Sequence, residues 1–148
     1  MLSGSTGSGV VVERSAVDTN VLVAAHIADH EHHEVAADAA AAASDVLGQV
    51  TVETWSVLRR HFRLSADAVS AMLLAYVGDR QLVPPSVDAY HRVLRTGRSL
   101  ALAGNVHDAV IVHTAKDAGL RLATLDAGLH RLADGIVPCD LLPAPDDP

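Results

Sequence analysis

Short apolar runs alternate with longer stretches of helical periodicity along most of the chain, which predicts an α/β domain on a mainly parallel sheet. The first strand is expected at Ser15 to Val17, reaching back as far as Val10. A helix from Val21 to Ala28 and a polar loop from Asp29 to His33 follow it. An Ala-rich helix then runs from Glu34 to about Leu47 and stops at Gly48. Val50 to Val52 reads as a short strand. Glu53 to Phe62 reads as a helix whose Trp55, Leu58 and Phe62 recur at i, i+3 and i+7 and are expected to face inward. Ser65 is placed to cap a helix that reaches about Val77, and Gln81 to Val83 reads as a strand. Pro84-Pro85-Ser86 breaks the chain and caps a helix to about Ala103, ended by Gly104. The last third is the most regular. It holds a helix from Val106 to Ala118, a stop at Gly119, a strand from Leu120 to Leu125, a short helix after Asp126 and a strand near Ile136 to Cys139.

A length of 148 residues with 49% hydrophobic side chains suits one domain, expected over residues 15–142. Residues 1–14, with the run SGSTGSG, read as a flexible lead-in or strand extension, and 143–148 as a disordered Pro- and Asp-rich tail. The glycines from Gly4 to Gly9 lack the Lys-Ser/Thr ending and the preceding strand of a phosphate-binding loop. Aromatics make up only 3% of the chain, so Ala, Val and Leu must build the core. Eighteen acidic against eleven basic residues, a formal charge of -7, argue against nucleic-acid binding through a broad basic surface. The lone Cys139 excludes an internal disulfide and reads as a small buried hydrophobe. With no membrane-length apolar segment and no secretory leader pattern, a cytoplasmic protein without membrane contact is expected.

Candidate chemistry lies in carboxylates that follow strands. Asp18 ends the first strand in Ala-Val-Asp-Thr-Asn, and Asp126 ends a later one in Leu-Ala-Thr-Leu-Asp. In parallel sheets ligands sit beyond the carboxyl ends of the strands, so these two belong at one edge. Glu53 starts a helix after the second strand candidate, and Asp108 opens the helix after Asn105. Taken singly, each has a simpler use as a helix cap. Gathered together, they would raise one another's pKa, and a hard divalent cation would relieve the repulsion. One or two such ions suit phosphodiester hydrolysis.

The stretch VDTNVLVAAHIADHEHH from Val17 to His33 resembles the opening of PIN-domain ribonucleases, in particular the VapC-type toxins of bacterial toxin-antitoxin pairs. HDAVIVHTAKDAGLRLATLDAGL, from His107 to Leu129, is similar to the closing pair of acidic motifs in that family. Val52 to Phe62, with Glu53, is similar to the middle one. The resemblance spans Ala16 to Asp140 and implies a Rossmann-like sandwich of helices on about five parallel strands. It also implies a Mg²⁺-dependent single-strand endoribonuclease in which Mn²⁺ can substitute. It carries the catalytic and metal-ligand roles onto Asp18, Glu53, Asp108 and Asp126, with Asn20 and Thr124 as polar partners that orient Asp18 and Asp126. An RNA substrate and a cognate antitoxin are the implied partners. In two respects the chain departs from the family: Ala127 stands where relatives often have a basic residue, and no clear strand precedes the middle motif.

His30, His32 and His33 read as a solvated loop rather than metal ligands, and His107 is a candidate for substrate contact. Arg59, Arg60 and Arg63 on one helix, and Arg92, Arg95 and Arg98 on another, form either a phosphate track or solvated helix faces. The Ala39 to Ala43 run suits close packing within the fold or across an expected homodimer. Two classes of function remain, the metal-dependent endoribonuclease and a catalytically silent PIN-fold interaction module whose carboxylates only cap helices. A metal-dependent phosphatase is disfavoured, since its nucleophile would need an Asp where Asn20 stands.

Overall fold

The computed structural model describes residues 13–97 and 106–145. Five short strands, β1 (Ser15–Val17), β2 (Asp45–Leu47), β3 (Gln81–Val83), β4 (Arg121–Thr124) and β5 (Cys139–Leu141), all pair in parallel. β4 lies between β1 and β5, while β2 pairs with β3. Ser44 stitches the two groups together: its N–H donates to the Ser15 carbonyl at 3.1 Å, and its Oγ accepts from the Ser15 N–H at 3.0 Å. Seven helices among the described residues flank these strands: α1 (Thr19–His26), α2 (His33–Ala42), α3 (Gly48–Arg60), α4 (Ala66–Gly78), α5 (Val87–Arg95), α6 (Val106–Ala118) and α7 (Ala127–Ala133).

The core is built from small aliphatics, as the scarcity of aromatics requires. Val21, Leu22, Leu47, Leu58, Val69, Ile111, Leu122 and Leu129 are all buried. Ala36, Ala40 and Ala43 are buried as well, so one side of the Ala-rich segment packs inside the domain while Ala41 and Ala42 are exposed. Cys139 is half-buried, and burial first, then the charges of Asp18 and Asp140, push its thiol up to about 11, which keeps it neutral. No helix among the described residues is long and apolar enough to cross a membrane.

Most expected elements are present within a few residues, and one region is corrected. The Ala-rich helix ends at Ala42 instead of near Leu47, Asp45–Leu47 is a strand, and Val50–Val52 belongs to α3 rather than to a strand. Long-range partners override the helical propensity of the Ala run. Asp45 is buried against the Arg14 guanidinium and the Ser44 hydroxyl, and Arg80 reaches across to the last carbonyls of α2. Because α3 starts five residues earlier than expected, its inward row is Val50, Thr54 and Leu58, and Trp55 is 39% exposed. β5 likewise lies later than expected, beyond the turn at Gly135, whose φ is +73°. Gly119 ends α6 at φ +67°, as its position in the sequence predicts. The glycines from Gly4 to Gly9, Arg98 and the end of the helix expected to reach Ala103 lie outside the described residues.

The Arg80 guanidinium donates to the carbonyls of Ala43 (2.9 Å), Ala40 (3.2 Å) and Tyr76 (2.8 Å), and lies 4.0 Å over the Tyr76 ring. The Tyr76 hydroxyl donates to Ala40 O at 2.9 Å. A cation at the carbonyl end of a helix satisfies orphan acceptors and opposes the helix dipole. Arg80→Met, which keeps the aliphatic length, is expected to lower folding stability by about 2 kcal/mol in urea titrations.

Candidate active site

The parallel register sets Val17 beside Ala123, so the residues that follow β1 and β4 leave the sheet side by side. Asp18 is the first of them. It is 4% exposed and caps α1 by accepting the Thr19 N–H at Oδ1 (2.7 Å), while Oδ2 accepts the Thr124 hydroxyl (2.8 Å). The same Thr124 oxygen accepts the Asp126 N–H at 3.0 Å, so one buried hydroxyl ties the two aspartates together. Asn20 Oδ1 accepts the Leu125 N–H at 3.3 Å and so fixes the backbone between Thr124 and Asp126. Thr124 thus orients Asp18 directly, whereas Asn20 acts on the chain rather than on a carboxylate.

Asp126 caps α7, with Oδ1 accepting the Gly128 N–H at 2.7 Å. Any Cβ at Gly128 would lie 3.0 Å from that oxygen, so the glycine makes room for the cap. Glu53 comes from α3, six residues beyond the end of β2, and β2 is the strand that the sequence did not reveal ahead of the middle motif. Its Oε2 accepts the Thr19 hydroxyl at 2.7 Å, and Oε1 accepts the Gln49 side-chain amide at 3.1 Å. His107 Nδ1 lies 2.7 Å from that Gln49 nitrogen and 3.2 Å from Glu53 Oε1. Asp108 stands in the first turn of α6, the next residue along.

All four carboxylates line one cleft of about 350 Å³ at the carboxyl ends of β1, β2 and β4. Burial is the main reason that the Asp18 carboxyl is pushed up to about 6. Hydrogen bonds from Thr124 and Thr19 pull against it, and the charges of Asp108 and Glu53 add to it. Asp108 is also held above the ordinary carboxylate range, by burial first and then by the charges of Asp126 and Glu53, with His107 opposing. Oxygen-only donors that repel one another suit a hard cation such as Mg²⁺, which is typically held by one or two carboxylates plus waters and phosphate oxygens. Among the described residues no three His, Cys, Asp or Glu side chains are arranged to hold a metal ion together, so the carboxylates line one cleft without forming a ready-made ligand set.

The basic residues lie elsewhere. Arg59 donates to the Leu64 carbonyl at 2.7 Å and sits 5.7 Å from the Trp55 ring centroid, while Arg60 and Arg63 are exposed, and none of the three lines the cleft. Arg92 is committed to Asp117, whose carboxyl it holds below the usual range. Several cleft residues went unread in the sequence. Thr19 and Gln49 hold Glu53, and Val23, Val57, His30, His61 and Phe62 complete the lining of the cleft. Gln49 stands four residues before Glu53, a spacing that shows once α3 is known to begin at Gly48.

Residues 16–135 match the model of the PIN domain. Ribonuclease VapC40 of Mycobacterium tuberculosis is 32% identical over 114 residues, which cover 75% of this chain and 85% of that protein. The solved structure of Mycobacterium tuberculosis VapC20, described as a sarcin-ricin loop cleaving toxin, superposes with a TM-score of 0.66 at 20% identity and covers 86% of this chain and 98% of that one. VapBC2 of Rickettsia felis, solved with a DNA fragment from its promoter, gives a TM-score of 0.63 at 13% identity and covers 87% of this chain and 98% of its own. At these identities the two structures speak for the fold. The family model and the identity to the ribonuclease go further, and on them the chain belongs to the PIN-domain family, among its VapC-type members.

Proposed function

We propose that this protein is a Mg²⁺-dependent endoribonuclease for single-stranded RNA, with Mn²⁺ as a substitute, and the toxin of a toxin-antitoxin pair. The observation that carries the reading is the convergence of Asp18, Glu53, Asp108 and Asp126 on one cleft at the carboxyl ends of the parallel strands. Its similarity to Ribonuclease VapC40 supports RNA as the substrate.

Asp18, Glu53, Asp108 and Asp126 would hold the ion, which when bound supplies Lewis acidity for water activation and offsets phosphate charge. The chain's own contribution is to fix the carboxylates before substrate arrives. Thr19 serves two of them at once, with its N–H on Asp18 and its hydroxyl on Glu53. Gln49 holds the second Glu53 oxygen, and Thr124 locks Asp18 to the end of β4. Burial and the charges of Asp126 and Glu53 hold the Asp108 carboxyl above the ordinary range, so it is one of the groups a cation would relieve. Val23 and Val57 give the cleft part of its apolar lining.

An antitoxin partner is supported by the solved VapBC and FitAB structures of similar fold. The acidic cleft suits a partner segment that carries Arg, which would pair bidentately with carboxylates such as Asp18 and Asp126. A homodimer belongs to the same reading, and the exposed Val87, Tyr90 and Leu94 of α5 offer apolar surface for it. The silent interaction module stays as the alternative, because Asp18 and Asp126 do cap helices.

RNA cleavage is expected to need Mg²⁺ or Mn²⁺ and to fall by about a hundredfold or more in Asp18→Asn. Undiminished cleavage in excess EDTA would exclude the metal mechanism, and no cleavage with either ion would leave the silent module as the better account. In EDTA, stability should depend on pH through Asp18, whose carboxyl rises from 3.8 when unfolded to about 6 when folded. Such a group favours the folded state fully below about pH 4 and loses that contribution as pH rises through about 6. Metal-free Asp18→Asn should therefore be more stable than the wild type at pH 7, by about 2 to 3 kcal/mol, and lose this advantage near pH 4. Thermal melts at the two pH values measure it, and an equal or lower melting temperature for the variant at pH 7 would contradict the strain. Finally, the wild-type chain should be obtained in good yield only with its antitoxin co-expressed, whereas Asp18→Asn should express alone and bind the partner more weakly. Harmless expression of the wild type in growing cells, with no partner in a pull-down, would overturn the toxin reading.

A further inference from the structure

The cleft lining has two unlike chemistries. Besides the carboxylates it holds Val23, Val57, His30, His61 and Phe62, and Val57 on α3 and His61 at its end follow Glu53 at helical spacing. Phe62 is the one phenylalanine of the chain. It is half-buried, with part of it packed on the core, and it lines the cleft as well. His61 meets it edge to face, with ring centroids 4.9 Å apart and planes at 77°. Both rings sit in the turn after α3, which is pinned from several sides. The His61 N–H donates to Val57 O at 2.8 Å, the Leu64 N–H donates to Leu58 O at 3.1 Å, and the Arg59 guanidinium donates to Leu64 O. Arg63, within this turn, is the one non-glycine residue with positive φ (56°) among the described residues. A non-glycine backbone in that region is uncommon and persists where its surroundings over-determine it.

Across the loop between α1 and α2, His30 Nδ1 accepts the His32 N–H at 3.1 Å. That bond places the proton of a neutral His30 on Nε2 and makes that nitrogen a donor. This part of the lining therefore combines aromatic rings, aliphatic side chains and a hydrogen-bond donor.

We propose that Phe62, His61 and His30 form a subsite for one unpaired nucleobase of the RNA, next to the phosphate held at the carboxylates. This rests on reading the cleft as a ribonuclease site. A phosphate at the carboxylates brings its own ribose and base along, and a cleft of about 350 Å³ leaves the base the remaining lining, which is aromatic and aliphatic. The protein is acidic and the arginines of α3 lie outside the cleft, so long-range attraction for a polyanion is weak here. Affinity must then come from the ion and from neutral contacts, and base stacking on an aromatic side chain is the neutral contact that single-stranded RNA offers. A base still paired in a duplex cannot present its face to these rings, so the subsite also selects unpaired RNA.

Two measurements on the full chain test the subsite separately from the cleavage reaction. Asp18→Asn, with Mg²⁺ present, is titrated with a short fluorescein-labelled oligoadenylate and with the same ribose-phosphate oligomer lacking bases. The base-bearing oligomer should bind about fivefold or more tightly, and adding Phe62→Leu and His61→Ala should abolish that preference. Phe62→Tyr, which keeps a ring, should retain it. In the otherwise wild-type chain, Phe62→Leu should raise KM for RNA more than it lowers kcat. Circular dichroism and melting temperature confirm that each variant is folded, and the exposed His61→Ala alone gives the same comparison should Phe62→Leu not fold. An unchanged preference in the variants, or no preference in Asp18→Asn, overturns the base subsite, and active wild-type cleavage then leaves the ribonuclease reading standing. Lost preference without any wild-type cleavage upholds the subsite and removes the ribonuclease reading.

Discussion

A single hydroxyl joins the two halves of the acidic cleft. Thr124, fully buried at the end of β4, donates to Asp18 and accepts from the backbone of Asp126. The bond exists because β1 and β4 run in parallel with Val17 beside Ala123, so the chain emerges from both strands at the same level. Parallel pairing thereby gathers carboxylates that lie more than a hundred residues apart in sequence. Their gathering has an electrostatic cost, visible in the raised Asp18 and Asp108 carboxyls. The N–H groups at the starts of α1 and α7 offset part of it. The remainder is what a cation, or a cationic partner, can relieve.

Capping and ligation are often weighed as rival uses of an aspartate, but in this cleft they coincide. Asp18 gives one oxygen to the Thr19 N–H, and Asp126 gives one to Gly128. A carboxylate oxygen has two lone-pair sites, so acceptance of one N–H leaves capacity for a second partner. The cap also removes rotational freedom, which places the other oxygen without help from the ion. Catalytic geometry on rigid elements needs this kind of fixation.

The carboxylates of the candidate cleft were legible in the sequence where local chemistry places them. An apolar strand ending in Asp is visible without a fold, and Asp18, Asp126 and the helix start at Asp108 were all legible in that way. Errors arose where distant partners decide the backbone. The Ala run reads as continuous helix because nothing near it says that Arg14, Ser15 and Arg80 will claim residues 40 to 45. That one shift hid β2, moved the start of α3 and turned Trp55 outward. It hid Gln49 too, which becomes a partner of Glu53 only when both lie on one helix. Phe62 was read as the end of an amphipathic face and His61 was not read at all, since periodicity does not say that a turn will bring them to a cleft.

The arginines show the same principle from the other side. Clustered basic residues on an acidic protein invite a phosphate-track reading, yet Arg59 holds the turn after α3 and Arg92 is bound to Asp117. Charge spent on structure is not available for steering. On the proposed reading, a chain of net charge -7 that acts on a polyanion would have to concentrate its attraction at an ion among the carboxylates, and to add contacts that are indifferent to charge. A cleft lined by both carboxylates and aromatic rings would meet both needs within about 350 Å³. On the same reading, a partner cation that neutralised the carboxylates would remove the attraction for RNA and the place for the ion together.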